Sequence, residues 1–326
     1  MLFVAVKPVL IRELTTNAID ETVKSQNTHY IPEWVLKRFR DPILLELDIF
    51  TGLTKPRNPG RAGSGQDLWP EDIEDGLSVH DNAAARIFRN KINGREAIFL
   101  THDERMQFAL WLSQFAVRVP DIREHFRHHL EEERKNPEFI RNVVRKNVHH
   151  FVESARRSDP EAFDELVDDL GMEEVERWIV DGCTNQIAVT GQYLPTYESL
   201  HHYYMRNNSS EKYAAKLCEY HWSWYRTQSA FVIGDNPLIR WHEKSQRWNY
   251  GIKRPGVEIT MPITVNLCLR LTRTIRRNPE QVKRCTERQT RIFNVRQRLA
   301  AVRCVYGNSP DALDFIHKPM VGWNPR

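Results

Sequence analysis

Apolar residues recur at intervals of three and four through most of the first 225 positions, and short apolar runs broken by turn residues replace them afterwards. The first pattern predicts helices and the second predicts strands. Thr28-His29-Tyr30-Ile31-Pro32 leads into a short amphipathic helix, Glu33 to Phe39, whose proline falls in the first turn, where its missing N–H is harmless. A second helix is expected over Val79 to Lys91, with Ala83, Ala84, Ile87 and Phe88 on one period. Thr101-His-Asp-Glu104 has the spacing of a capping box. It opens a helix with Phe108, Trp111, Leu112, Phe115 and Val119 as its core stripe and Arg118 in its last turn. Charged helices follow at Arg123 to Glu133 and Glu138 to Ser154. Asp159-Pro160 and Gly171 then bound the first member of an acidic helical hairpin, and Met172 to Val180 supplies the second. Glu211 to Tyr225 is expected to be a further helix carrying Trp222 and Trp224.

The strand candidates are Ile43 to Phe50, Phe231 to Ile233, Leu238 to Trp241, Val257 to Met261, Leu267 to Leu271 and Cys304 to Tyr306. Between the first two, Lys55 to Gly65 is rich in Pro, Gly and Arg and is expected to be an exposed, mobile loop. A long helix is expected from Asn278-Pro279-Glu280, with Cys285, Ile292, Val295, Leu299 and Val302 as its core face. The expected fold is α+β, predominantly helical, with a small mixed β-sheet from the C-terminal third. Residues 1–26 read as an N-terminal arm and 317–326 as a tail. Residues 27–316 read as a single domain, helical over 27–225 and sheet-containing over 226–316.

With 326 residues and 40% apolar composition, the chain can bury a sizeable core. No window approaches the roughly 18 apolar residues of a membrane span, which argues against a membrane partner. Lys7 and Pro8 interrupt the apolar start, so a signal peptide is not expected. Five dispersed cysteines, odd in number, fit reduced thiols and a cytoplasmic setting.

Charge is unevenly placed. Asp159 to Asp181 holds ten acidic residues against Arg177 alone, whereas Lys253 to Arg303 holds thirteen Lys and Arg against three Glu. The two segments can face each other or solvate their own helices. Alternatively, the basic one meets phosphates, and the acidic hairpin docks a protein partner or a second copy.

Four groups of residues could carry chemistry. Asp235, with Asn236 beside it, ends the run Phe231-Val-Ile-Gly, and a carboxylate there could hold Mg2+ or Mn2+ with help from Asp81 or Glu258. The alternative is an Asp-Asn-Pro turn in which Asp235 binds backbone N–H groups. His29 precedes a helix among aromatics and could be held in place to move a proton. Cys218-x-x-His221 and His125/His129 have metal-compatible spacing but lack further ligands, so solvated or packed helix faces explain them better. Finally, Arg284, Arg288, Arg291 and Arg298 lie away from the apolar stripe of the expected last helix. Arginine forks suit phosphate oxygens, with Trp222, Trp224, Trp241, Trp248 and Tyr250 available for stacking.

His29-Tyr-Ile-Pro32 before Leu36 and Phe39, Arg118-Val-Pro120, Phe231-Val-Ile-Gly-Asp235-Asn236-Pro237, Met261-Pro262-Ile-Thr, and Asn294 before Ala300 and Tyr306 stand in an informative order. In these the chain resembles the bacterial family catalogued as domain of unknown function 4238, from about Asn27 to Ile316. The resemblance implies one unit and a common polar centre of His29, Arg118, Asp235, Asn236 and Asn294, with no activity attached. The sequence departs at Asp81, where the family carries Glu before the alanine pair.

Three function classes follow. The most concrete is a divalent-metal-dependent nuclease. In it Asp81 and Asp235 hold Mg2+ or Mn2+, His29 moves a proton, Arg118 steadies a phosphate, and Asn236 and Asn294 complete the catalytic centre. The alternatives are a non-catalytic nucleic-acid or nucleotide sensor using the arginine face, and a protein-interaction domain.

Overall fold

The computed structural model describes residues 27–66, 68–133, 135–190, 201–202, 205, 210–242, 244–245, 251–252, 254–273 and 281–314. The expected arm (1–26), the tail (317–326), Asn278-Pro279, Trp248 and Tyr250 lie outside them, as do the side chains of His125 and His129. Contacts divide the chain into two compact units, Met1–Lys24 with His125–Leu200 and Ser25–Glu124 with His201–Arg326.

The unit around residues 125–200 is helical. Its helices are α5 (Pro137–Lys146), α6 (Val148–Ser158), α7 (Pro160–Leu170) and α8 (Met172–Thr190), packed on Ile140, Val144, Phe151, Val180 and Ile187. Asn136 and Asp159 cap α5 and α7, accepting the N–H of Glu138 and of Ala162. Gly171 takes φ +80° between α7 and α8, a left-handed position that makes the hairpin turn.

In the larger unit, β1 (Asn27–His29) precedes α1 (Glu33–Leu36), followed by β2 (Leu44–Asp48), β3 (Thr54–Arg57), β4 (Ser64–Gln66), α2 (Glu71–Ile87) and α3 (His102–Gln114); the boundary between the units then falls within α4 (Pro120–Glu133). After the helical unit come α9 (Ser210–Cys218), β5 (His221–Arg226), β6 (Ile233–Gly234), β7 (Ile239–His242), β8 (Val257–Thr264), β9 (Leu267–Thr272) and β10 (Lys283–Arg284). The chain then passes through α10 (Glu287–Ala300), β11 (Cys304–Gly307) and α11 (Pro310–Asp314). Three sheets form among the described residues. They are the pair β1-β4, a five-stranded sheet in the order β10-β5-β9-β8-β7, and a four-stranded sheet in the order β3-β2-β11-β6. The fold is α+β and dominated by helices, as expected. The C-terminal third does not supply all of the sheet, because two strands of the four-stranded one come from residues 44–57.

Alternation gives the five-stranded sheet two different faces. Trp222, Trp224, Ile259, Met261, Leu269 and Leu271 belong to the main core with α1, α2, α3 and α9. The Phe108 ring meets Trp222 and Trp224 edge-on, at 6.0 and 6.1 Å. The opposite parity carries Ser223, Tyr225, Glu258, Thr260, Cys268 and Arg270, and α10 crosses that face through Phe293, Arg296 and Ala300. Pro262 sits in a buried inner strand at the point where the β8–β9 register shifts, which removes the need for its missing N–H.

Three sequence expectations are corrected here. Trp222 and Trp224 lie on a strand, because Trp-Ser-Trp-Tyr alternates buried aromatics with a period of two, and α9 stops at Cys218. The helix expected from Asn278 is α10, which starts at Glu287. Thr286 and Gln289 form its capping box, and Lys283–Arg284 pair with β5, with the Cys285 N–H donated to the Arg226 carbonyl at 2.7 Å. Lys55 to Gly65 is built into β3, a short helical turn and β4. Gly63 anchors it: its carbonyl accepts the Ile31 N–H at 3.0 Å and its N–H is donated to the Tyr306 hydroxyl at 3.1 Å. At φ +58°, a Cβ on Gly63 would meet Ile31 Cβ at 2.9 Å.

Candidate functional site

Backbone from Ala230 to Pro237, regular only at the two residues of β6, needs hydrogen-bond partners once it is buried. Helix α10 supplies four of them. Asn294 accepts the Val232 N–H at 3.0 Å and donates to the Ala230 carbonyl at 2.9 Å. Gln297 accepts the Gly234 N–H at 2.8 Å and donates to the Pro237 carbonyl at 2.9 Å. The helix packs so close that a Cβ on Gly234 would lie 2.9 Å from the Gln297 carbonyl oxygen. Its buried stripe is therefore Thr290, Phe293, Asn294, Val295, Gln297 and Ala300, half of it polar; Ile292 and Leu299, expected in the core, are half-buried.

Asp235 completes this latch. Its carboxylate accepts the N–H groups of Val302 (2.7 Å), Arg303 (2.7 Å) and Cys304 (2.9 Å), and its own N–H is donated to the Cys304 carbonyl. The residue is 1% exposed, and burial pushes its pKa up against the opposing pull of those N–H groups. Asn236 is buried beside it. Asp235 does bind backbone N–H groups, but not those of a local Asp-Asn-Pro turn: the donors lie 67 to 69 residues away, where α10 leads into β11.

Arg118 and Asp81 form a separate group. Both ends of the Arg118 fork reach the Asp81 carboxylate at 3.1 Å; the Arg118 side chain is 0% exposed and that of Asp81 20%. Gln114 lies 3.4 Å from Nη1, and the guanidinium carbon lies 4.4 Å from the Phe115 ring centre. His80, next to Asp81, has its pKa lowered by burial, with Asp81 opposing and Arg118 reinforcing the shift. His29 belongs to β1, paired with β4, and its Nε2 is buried with no hydrogen-bond partner. The implied polar centre therefore divides. Asp235 and Asn294 serve one latch, Arg118 and Asp81 serve another, and the two acids share no hydrogen-bond partner among the described residues. Among the described residues, no three or more His, Cys, Asp or Glu side chains converge as a metal ion would need.

The expected arginine face is also redistributed. Arg284 stands on β10 and Arg288 in the first turns of α10, both exposed. Arg291 is half-buried, and Arg298 is drawn in to donate to the Ile49 carbonyl at 3.2 Å, where burial lowers its pKa.

A cationic group that the sequence reading did not assemble lies on the α10-side face of the five-stranded sheet. Glu258 on β8, named in sequence only as a partner for Asp235, instead receives Arg270 of β9 on one oxygen and Arg296 of α10 on the other, the latter at 2.5 Å. Arg270 also donates to the Tyr225 hydroxyl at 3.2 Å. Burial works against the Arg270 charge, but Glu258 and Tyr225 outweigh it and raise its pKa. Lys283 Nζ lies 5.8 Å from the Tyr225 ring centre and 3.3 Å from the Ser223 hydroxyl. The Arg296 guanidinium covers Trp241 at 4.9 Å. Two cations thus share one carboxylate, with Lys283 beside Ser223 and Tyr225 on the same sheet face, and Nε of both Arg270 and Arg296 is buried without an acceptor. The signal in the sequence was the period-two placement of polar residues at 223, 225, 258 and 270 inside apolar strands.

A family model described as "Protein of unknown function (DUF4238)" matches residues 27–311. No curated protein and no solved structure matches the chain.

Proposed function

The chain belongs to the DUF4238 family, and because that membership carries no activity with it, we propose from the geometry that the protein binds phosphate-bearing ligands, nucleic acid foremost. The observation behind this reading is the excess of positive charge around Glu258. Arg270 and Lys283 stand on one sheet face with Tyr225 and Ser223, Arg296 meets that face from α10, and Arg288 is exposed in the first turns of the same helix. Clustered cations partly shielded from water attract phosphates more strongly than scattered surface charges do. The reading takes the sensor or binder class ahead of the metal-dependent nuclease. Asp235 spends both carboxylate oxygens on backbone N–H groups and Asp81 spends both on Arg118.

The test is binding of single- and double-stranded DNA and RNA across a salt series, with and without Mg2+ or Mn2+. Affinity should fall steeply with salt and weaken in Arg270→Gln and Arg288→Gln. Absence of binding at low salt overturns the reading. Metal-dependent cleavage lost in Asp235→Asn and Asp81→Asn would place the protein among phosphodiester hydrolases instead.

A further inference from the structure

We propose that the group around Glu258 is a subsite for a phosphate dianion, that is, a terminal phosphate monoester rather than a bridging diester. The proposal rests on the phosphate-binding reading above and names the ligand for that site.

Charge is the first argument. Arg270 and Arg296 share the carboxylate of Glu258, and Lys283 lies beside Ser223 and Tyr225 on the same sheet face, so this group of side chains carries two positive charges beyond its one carboxylate. The other titratable groups in the cluster add no negative charge: burial raises the pKa of Cys268 and Cys285, so both stay thiols. A bridging diester carries one charge, whereas a terminal monoester carries nearly two at neutral pH, with a second pKa of about 6. Only the monoester balances the site.

Donor capacity is the second. Each guanidinium has five N–H groups in a fixed fork. Glu258 and the Tyr225 hydroxyl occupy a minority of the ten, and both Nε–H groups are buried with no acceptor. Buried donors without partners are costly, and a monoester brings three oxygens that can each accept more than one hydrogen bond. Glu258 would then act as a positioning residue that holds the forks of a strand and a helix at one place. The aromatic faces of Trp241 and Tyr225 fix the planes of the two arginines from beneath.

The experiment uses one single-stranded oligonucleotide, labelled at one end, whose other end is a hydroxyl, a phosphate monoester or the methyl-capped diester. Binding is followed by fluorescence anisotropy at pH about 8, above the second phosphate pKa of about 6. The monoester is expected to bind at least about tenfold tighter than either other end, and inorganic phosphate should compete. Arg270→Gln and Lys283→Gln should each remove most of that preference. Lys283 is on the edge strand, so its variant tests the proposal even if Arg270→Gln does not fold. Equal binding of all three ends overturns the terminal-phosphate subsite while leaving general nucleic-acid binding intact. A monoester preference that survives in folded Lys283→Gln and Arg270→Gln overturns the site assignment. If inorganic phosphate raises the melting temperature of the wild type and not of Lys283→Gln, while no oligonucleotide binds, the subsite stands and the nucleic-acid reading falls. If neither phosphate nor any oligonucleotide binds, both fall.

Discussion

Asn294 holds Val232 by its backbone: the carboxamide oxygen takes the Val232 N–H at 3.0 Å while the amide group of the same side chain bonds the preceding Ala230 carbonyl at 2.9 Å. A helix side chain thus does for an irregular segment what a neighbouring strand does for a regular one. Replacing Asn294 by Leu keeps roughly the volume and removes both bonds. A loss of stability of about 1–3 kcal/mol for each backbone group left unpaired is expected, read as a lower urea midpoint with the slope unchanged. A loss below about 0.5 kcal/mol would mean that the segment finds other partners.

Asp235 makes a sharper case, because its sequence context suggested a catalytic carboxylate. Its two oxygens accept three N–H groups from Val302, Arg303 and Cys304. Asp235→Asn turns one acceptor into a donor facing donors, so a destabilisation of about 1–3 kcal/mol is expected. Oligonucleotide affinity should be unchanged when measured below the unfolding transition. The opposite pattern, unaltered stability with binding or turnover lost, would put Asp235 back among the residues that act on ligand.

Both residues were visible in the sequence as a motif, and their involvement with buried backbone was not. Periodicity reports which side chains leave water. It cannot report that Asn294 and Gln297 leave water to serve carbonyls and N–H groups of Ala230 to Pro237, or that Thr290 leaves it to meet the Thr227 hydroxyl, so Ile292 and Leu299 were expected in the core stripe of α10 beside Val295. The caps at Thr101 and Asp159 were legible because a cap is local, satisfied within three residues. The Glu258 group was not legible, since its members come from β5, β8, β9, β10 and α10, and only the pairing register brings them together. The same limit explains Trp222 and Trp224. In the run from Glu211 a helical reading continued past Cys218, where long-range pairing with Thr272 to Leu267 takes over.

Arg118 lies in the turn between α3 and α4, not in the last turn of α3 as the sequence suggested, and links that turn to Asp81 of α2 across a nearly water-free contact, with Arg118 0% exposed. Removing the acid alone, as Asp81→Ala, leaves a buried cation uncompensated. A loss of roughly 3 kcal/mol is expected, at the low end of the range for breaking buried pairs because Asp81 itself is 20% exposed. Arg118→Met combined with Asp81→Leu should lose less than Asp81→Ala does, since both desolvation penalties vanish together. If the double variant is the less stable one, the pair contributes more than its desolvation costs.

His201 gives the fold a pH dependence of known sign. Its side chain is buried, Nε2 meets the Val117 carbonyl, and burial, helped by nearby Arg123 and His202, lowers its pKa from 6.5 to about 4. The unfolded chain therefore takes up a proton in a range where the folded chain resists it. The stability that neutral His201 supports is complete above its unfolded value of about 6.5, declines as pH falls, and is gone below about 4. The shift corresponds to a difference on the order of 3 kcal/mol between those limits. His80 is lowered by burial as well and adds a contribution of the same sign. Urea midpoints of the wild type and of His201→Gln at pH values from about 7.5 to about 4 isolate the His201 part, because every other titrating group cancels in the comparison. The wild type should lose stability relative to the variant as pH falls. A constant difference across the range would mean that His201 titrates alike in the folded and unfolded chains, and that burial does not hold it neutral against the opposing pull of the Val117 carbonyl.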